Sequence, residues 1–480
     1  MNKYIKNYIL SVMNTVMMLV FPIITFPYVS RILGPTKLGI INFAQSYGYY
    51  FVQIASFGIN SYAVREVSRV RNDKQASEKI CNEIFNLNFF FSTMSTLLYF
   101  AGVLVVSQFR ENIVIFAVYS FVILSNFLSL DWLLQSYDDY LFSTIRNTVI
   151  RLFSILAVFV FVRNENDYIL YMAISCVAEM GTKVSTLLYS RKMYAKLFIS
   201  KKFLNFKAHF QTMFTLFTFR LINGISSNLD KLMIGFMMAY ANVGVYSAGV
   251  KFVLMVWPIV ETVGVVLFPK INISADSSKE EYYKNLKINY DLILLMGIPM
   301  AVGLFLVSNR LIPLFAGKQY IDATFVSRIL SVVVVLGPIG DMLGSKTLLV
   351  YKKDKQLLIC STIVAVSNVF LNIIMIPLWG INGAAIASLI CYIIAIVVRF
   401  YFTRLIIPFQ LFNINIFIYF AYTLPFIIGY ILFWKKIDSS NIWMFSYIVV
   451  CVIVYIAELV LFKDPLTKIV IEKLFGRTKT

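Results

Sequence analysis

The chain has 480 residues, of which 59% are hydrophobic and 14% charged, with a mean hydropathy of +0.78 and a net charge of +19. Soluble domains carry about 25% charged residues, so these values exclude a soluble globular protein and place the chain in a bilayer. On a soluble protein the positive charge would suggest nucleic acid; on a membrane chain it reads first as basic connections that hold topology.

In chain order, the opening MNKYIKNY leads into an apolar run ending near Val29. It is longer than a signal-peptide core and has no small-residue cleavage site, so it reads as a retained first membrane helix. Further apolar runs, each long enough to cross hydrocarbon, bring the expected spans to about fourteen: 8–30, 38–63, 81–107, 113–136, 144–163, 168–190, 211–239, 242–270, 287–307, 323–350, 356–378, 380–406, 414–434 and 442–462. Alternate connections differ in charge. REVSRVRNDKQASEK, RKMYAKLFISKKFLNFK, SADSSKEEYYKNLK, YKKDKQ and the tail KDPLTKIVIEKLFGRTKT are rich in Lys and Arg, whereas GPTK, QFREN, RNEND, AYAN and PLWGING are not. The positive-inside rule puts the first set and both termini in the cytoplasm. A faint repeat pairs KLGIINFAQS from Lys37 with NVGVYSAGV from Asn242. It fits two parallel six-helix halves and two further helices, an all-α polytopic fold. The expected divisions are 1–207, 208–406 and 407–480 with its basic tail.

Several polar residues fall inside these runs. In the second, Asn42, Gln45, Tyr49, Gln53, Ser56 and Asn60 recur at steps of three and four, which is one helical face. That face reads as interhelical hydrogen bonding or as the wall of a wet cavity. The seventh run holds Arg220, Asp230 and Lys231, the last two about 100° apart around the helix. One charge at a helix centre costs about 2.5–3.5 kcal/mol on the insertion scale, so three imply strong compensation or a water-filled lining. The eighth adds Lys251 and Glu261 on either side of Pro258, the sixth Glu179 and Lys183 at i,i+4, and the tenth Arg328, Asp341 and Lys346. Glu179, Asp230 and Glu261 are the candidates for binding a coupling ion, because carboxylates within membranes often mark ion pathways. Arg31 caps the outer end of the first run. Asp131, beside Trp132, reads as interfacial, and His209 as part of a basic loop. Pro22, Pro27, Pro258, Pro299 and Pro338 are read as interrupting their helices. The five cysteines form no CxxC and read as small packing residues. No histidine-based metal site, no cofactor and no P-loop is expected. The short outer connections offer no paired acids for a membrane-bound polymerase, the rival from another class, and no repeated filter suggests a channel.

The segments SRILGPTKLGIINFAQS, DWLLQSYDDYLFSTIRN, NLDKLMIGF…VGVYSAGVK and PLWGINGAAIAS, in this order, resemble those of the polysaccharide transporters. These are the Wzx-type O-antigen and repeat-unit flippases of the multidrug/oligosaccharidyl-lipid/polysaccharide exporter superfamily. The resemblance covers the chain nearly end to end. It implies two six-helix lobes around a central cavity, plus two C-terminal helices. It implies movement of an undecaprenyl-diphosphate-linked oligosaccharide from the cytoplasmic to the outer leaflet by alternating access, driven by an H⁺ or Na⁺ gradient. It also implies a pathway shared with a polymerase and a chain-length regulator. The family's cationic cavity corresponds here to Arg31, Arg220, Lys231 and Lys251, with Asn42, Gln45, Gln53 and Asn60 for sugar hydroxyls. A lipid II-type flippase or a multidrug exporter is the alternative within the superfamily; an exporter of organic cations would favour an acidic lining.

Overall fold

The computed structural model describes residues 3–464 except 201, 202, 204, 408, 409, 412 and 463; for residues 3–20, 219, 223, 225–227, 263 and 266 it describes the backbone only. The basic tail beyond Asp464 and the side chains of Asn223 and Ser227 lie outside the described residues. All regular structure among the described residues is helical: α1 (Lys3–Ser56), α2 (Ile59–Val70), α3 (Lys74–Val105), α4 (Ser107–Arg110), α5 (Ile113–Leu124), α6 (Asp131–Ser136), α7 (Tyr140–Phe161), α8 (Tyr168–Met193), α9 (Phe206–Met237), α10 (Tyr240–Ser277), α11 (Lys279–Ala316), α12 (Ala323–Ser331), α13 (Val333–Leu343), α14 (Asp354–Thr403), α15 (Ile414–Ala421), α16 (Leu424–Ser439) and α17 (Asn441–Leu461). Among the described residues eight helices are long and apolar enough to cross a membrane, or nine if α12 and the segment after it, bent by 43°, count as one span. The expected fourteen spans are compatible with this layout. Large apolar side chains such as Val105, Leu405 and Ile442 stand at the surface. Water would not tolerate so many; lipid does. The chain is a multi-pass, all-α membrane protein.

Helix breaks fall at glycines more than at prolines. α1 bends at Gly34 (φ 69°) and α14 at Gly380 (φ 59°), which makes both turns tight. The expectation that prolines interrupt the helices fails: α1 continues through Pro22 and Pro27, α10 through Pro258, and α11 through Pro299. The second expected span also ends early. Phe57 (φ 38°) and Gly58 (φ 74°) are left-handed and separate α1 from α2. For a bulky side chain that conformation is strained, and the ring is held by stacking on Phe91 and Phe217. Gly58 has no alternative, since a Cβ there would press on the Met213 carbonyl of α9. Asn60 therefore lies beyond a break and off the line of the stripe.

Several helices outrun their apolar segments. Only residues 71–73 separate α2 from α3, and Asp73 caps α3 by accepting from the Gln75 and Ala76 N–H groups. Ser278 caps α11 in the same way. Apolar content marks the hydrocarbon span, whereas the helix continues as far as capping and packing support it.

Packing divides the chain into two compact units, Met1–Gly244 and Val245–Thr480. The sequence reading drew its first division after residue 207; the difference is α9, which packs against α1 and α2 in the first unit. A core of that unit gathers Phe57, Tyr62, Phe85, Trp132, Leu197 and Met213. Trp132, 1% exposed, belongs to it. Its neighbour Asp131 pairs at 2.9 Å with Arg146, itself buried. In the second unit α11, α16 and α17 meet at Val307, Ile437 and Met444. The five cysteines are free thiols, four of them buried.

The repeat has a structural counterpart. Gly39 and Gly244 are 205 residues apart, as are Pro35 and Tyr240. A Cβ on Gly39 would collide with the Tyr240 carbonyl, and one on Gly244 with the Pro35 carbonyl. The contact is reciprocal, as across a two-fold axis, and it brings two helix backbones together without side chains between them.

The connection between α8 and α9 is held along α3. Glu78 accepts from the Lys196 N–H (3.1 Å). The Asn82 side chain donates to the Lys196 carbonyl (2.9 Å) and accepts from the Phe198 N–H (2.9 Å). Asn86 likewise donates to the Phe198 carbonyl (2.8 Å) and accepts from the Ser200 N–H (2.7 Å). The spacing follows from geometry: four helical residues rise about 6.0 Å, and two extended residues about 6.6 Å. Each amide supplies two hydrogen bonds of roughly 1 kcal/mol net. Asn82→Ala or Asn86→Ala should raise hydrogen exchange across residues 195–200 by about tenfold or more while leaving α3 protected, and unchanged exchange there would mean the segment is held by Leu197 alone.

Candidate functional site

The expected lining residues fall in both units. In the first, the α1 stripe is polar but not uniform. Asn42, Gln45, Tyr49 and Gln53 are half-buried, whereas Ser56 is buried in a polar knot with Asn126 and Asn88. Gln45 donates weakly to the Met172 sulfur at 3.8 Å. Tyr49 lies against α9: a Cβ on Gly224 would strike its hydroxyl. Arg220 stands one turn before Gly224 and donates to the Ser61 hydroxyl of α2 at 2.8 Å. Arg220, Tyr49 and Ser61 thus form a cluster where α1, α2 and α9 meet. A guanidinium has five donors; one goes to Ser61, and the residue as a whole is half-buried. Ten residues of helix, about 15 Å of rise, separate Arg220 from Asp230, so Arg220 does not serve to neutralise that acid. Asp230 is buried and Lys231 half-buried near the end of α9. Arg31 is exposed just before the Gly34 bend. Lys251, in the second unit, is half-buried.

The coupling candidates differ in environment. Glu179 pairs with Lys183 at 2.9 Å, as the i,i+4 spacing suggests. The buried ammonium also donates to the Val122 carbonyl and the Ser125 hydroxyl. This arrangement ties α8 to α5. Glu261 makes no ion pair within 4 Å among the described residues. It lies near Asp341 and Lys346, which pair with each other.

His209 is not in a loop. It is buried in α9, with Nδ1 at 2.6 Å from the Tyr62 hydroxyl of α2 and Nε2 at 2.8 Å from the Glu83 carboxylate of α3. Its segment NFKAHFQTM looks basic and polar, and the only sequence cue to burial is the apolar spacing of Phe206, Phe210 and Met213 around it. Two further residues went unmarked. Asn289 stands at the start of the expected span 287–307, in the polar surroundings KNLKINYD, and Arg399 in VVRFYF, near the end of the span 380–406.

At the basic connections, Asp139 caps α7 and accepts from the hydroxyls of Tyr189 (2.6 Å) and Tyr194 (2.7 Å), while Asp138 pairs with Arg71 at 2.9 Å. The RNEND turn is closed by Asp167, whose carboxylate accepts from the Arg163 and Asn164 N–H groups; those bonds hold it below the ordinary carboxylate range. No cluster of three or more metal-ligating side chains occurs among the described residues.

The model of the family described as "Polysaccharide biosynthesis protein" matches residues 4–274. The chain belongs to that family. Its relatives include a protein of Escherichia coli (strain K12) named "Putative O-antigen transporter", 21% identical over 73% of this chain and 85% of the relative. One of the same name from Shigella dysenteriae is 19% identical over 62% of this chain and 74% of its own length. Among solved structures, the lipid II flippase MurJ in its inward closed conformation superposes with a TM-score of 0.80 at 15% identity, covering 96% of this chain and all of that one. An inward-facing multidrug resistance MATE family transporter of the MOP superfamily gives 0.61 at 12% identity, covering 81% and 97%. The fold is that of MOP transporters.

Proposed function

We propose that the chain is a flippase that moves an undecaprenyl-diphosphate-linked oligosaccharide from the cytoplasmic to the outer leaflet of a bacterial plasma membrane, with both termini cytoplasmic. The observation that carries the reading is a half-buried Arg220, bonded to Ser61 one turn from the Gly224 that packs on Tyr49, inside the helices of a chain of the polysaccharide biosynthesis family. A diphosphate and its sugars cannot cross hydrocarbon unaided. A guanidinium fork suits phosphate oxygens, and the Asn, Gln and Tyr groups of α1 can replace water around hydroxyls. The names of its relatives and the MOP fold support transport rather than catalysis. Lys231 and Lys251 add positive charge to the proposed path. A gradient of H⁺ or Na⁺ drives the cycle, the divisions 1–207, 208–406 and 407–480 correspond to two lobes and a terminal helix pair, and a polymerase with its length regulator consumes the product.

Arg220 is the test. A hydrogen bond to a charged group contributes about 1.5–3 kcal/mol, roughly 10–150-fold in binding. Arg220→Ala should abolish most surface polysaccharide in a complementation assay at normal membrane abundance, and Arg220→Lys should retain part of it. Full export by Arg220→Ala would overturn the assignment. Rescue of a strain lacking its lipid II flippase would favour the second reading, suggested by the fold match to that flippase.

A further inference from the structure

In the second unit α10, α11 and α13 approach closely because glycines replace side chains between them. Gly337 of α13 takes the Trp257 ring, and Gly297 of α11 lies against Val260 and Val335. This brings together polar residues that are far apart in sequence. Asp341, near the end of α13, pairs with Lys346 and accepts from the Ser345 hydroxyl at 2.6 Å. Lys346 and Ser345 sit in a single π-helical turn, Gly344–Leu348, a distortion that recurs at functional sites. The Lys346 side chain is 5% exposed, and its ammonium lies over Gly264 of α10, where any Cβ would crowd it. The Asn289 carboxamide of α11 flanks the same point. It is fully buried, and neither its oxygen nor its nitrogen has a hydrogen-bond partner among the described residues. Arg399 of α14 donates to the Gly340 carbonyl at 2.7 Å, and Cys360 and Tyr392 are the other titratable groups of that helix nearby, the Tyr392 ring 5.7 Å from that of Trp257. Glu261 of α10, one turn before Gly264, completes the set.

We propose that Glu261 is the proton-carrying group of this transporter, a reading that rests on the flippase function above. Within the membrane a lone carboxylate is costly, and taking up a proton removes that cost. Asp341 has its charge met by Lys346; Glu261 has no ion pair among the described residues. Glu179 is committed to Lys183. The unpartnered Asn289 amide offers one acceptor and two donors, enough to hold the water through which a proton reaches or leaves Glu261. The exchange is a simple acid–base step: a proton from the aqueous phase on one side is relayed through that water to the carboxylate, and it is released through water to the other side when the site next opens there.

The test needs no cargo. Purified full-length protein in lipid bilayers is titrated between acid and alkaline pH, and the carbonyl stretch of protonated carboxyl groups is followed by infrared difference spectroscopy. A titrating band is expected in the parent protein, lost in Glu261→Gln and retained in Glu179→Gln. The double variant Asp341→Asn/Lys346→Gln, neutral at both positions, should keep the band at a shifted midpoint. Its persistence unchanged in Glu261→Gln overturns the proposal, as does a band that responds to NaCl at fixed pH and not to pH. Because the readout is independent of export, its failure leaves the flippase reading standing. A cargo assay that fails while the band behaves as expected counts against that reading instead.

Discussion

Gly39→Val and Gly244→Val should each reduce the protein in the membrane several-fold, to near absence. Overpacking usually costs about 1–3 kcal/mol because side chains can shift. Here the obstacles are carbonyl oxygens of Tyr240 and Pro35, on helix backbones that cannot move individually. The crossing would have to open along both helices. The two substitutions should have similar effects, since the contacts are reciprocal. Gly303→Ala is the control: nothing lies within 4 Å of a Cβ there, and abundance should be unchanged. Normal accumulation of either valine variant would mean the two backbones do not meet as described.

The second large effect is expected at Asp131 and Arg146. The Arg146 side chain is 3% exposed; it donates to Asn147, contacts Thr186 and pairs with Asp131. Removing one partner of a buried pair typically costs about 3–5 kcal/mol, mainly because a charge is left without compensation. Asp131 is 48% exposed, which puts Asp131→Leu toward or below the lower end of that range. The double variant Asp131→Leu/Arg146→Met should recover much of the loss, since apolar side chains of similar volume replace buried pairs at little cost. Thermal unfolding in detergent would show this as a partial return of Tm. A double variant worse than either single one would contradict the pairing.

Legibility varied with the length scale of the signal. Hydrophobic runs showed an all-α, multi-pass chain because lipid demands about twenty apolar residues of any helix that crosses it. Lipid places no such demand on the ends, so α2 beyond residue 63 and the starts of α3 and α11 read as connections. The pairing of Glu179 with Lys183 could be read from i,i+4 spacing. The pairing of Asp131 with Arg146 could not, because it depends on how α6 and α7 pack. The stripe on α1 was visible by period alone, but period could not reveal that Phe57 and Gly58 turn the chain before Asn60. His209 and Asn289 show the same gap: their neighbours come from other helices, and polar sequence surroundings concealed their burial.

The amide ladder on α3 gives the α8–α9 connection a parity. Chains usually accept insertions in loops because nothing there counts residues. Between Lys196 and Ser200 the backbone meets Glu78, Asn82 and Asn86 at every second residue. One added residue would turn Leu197 outward and leave an amide facing a side chain. Two would restore the phase and shift the segment by one rung. Length variation in this segment is therefore tolerated in steps of two, and a tag or reporter placed there has to respect the pitch of the helix beneath it.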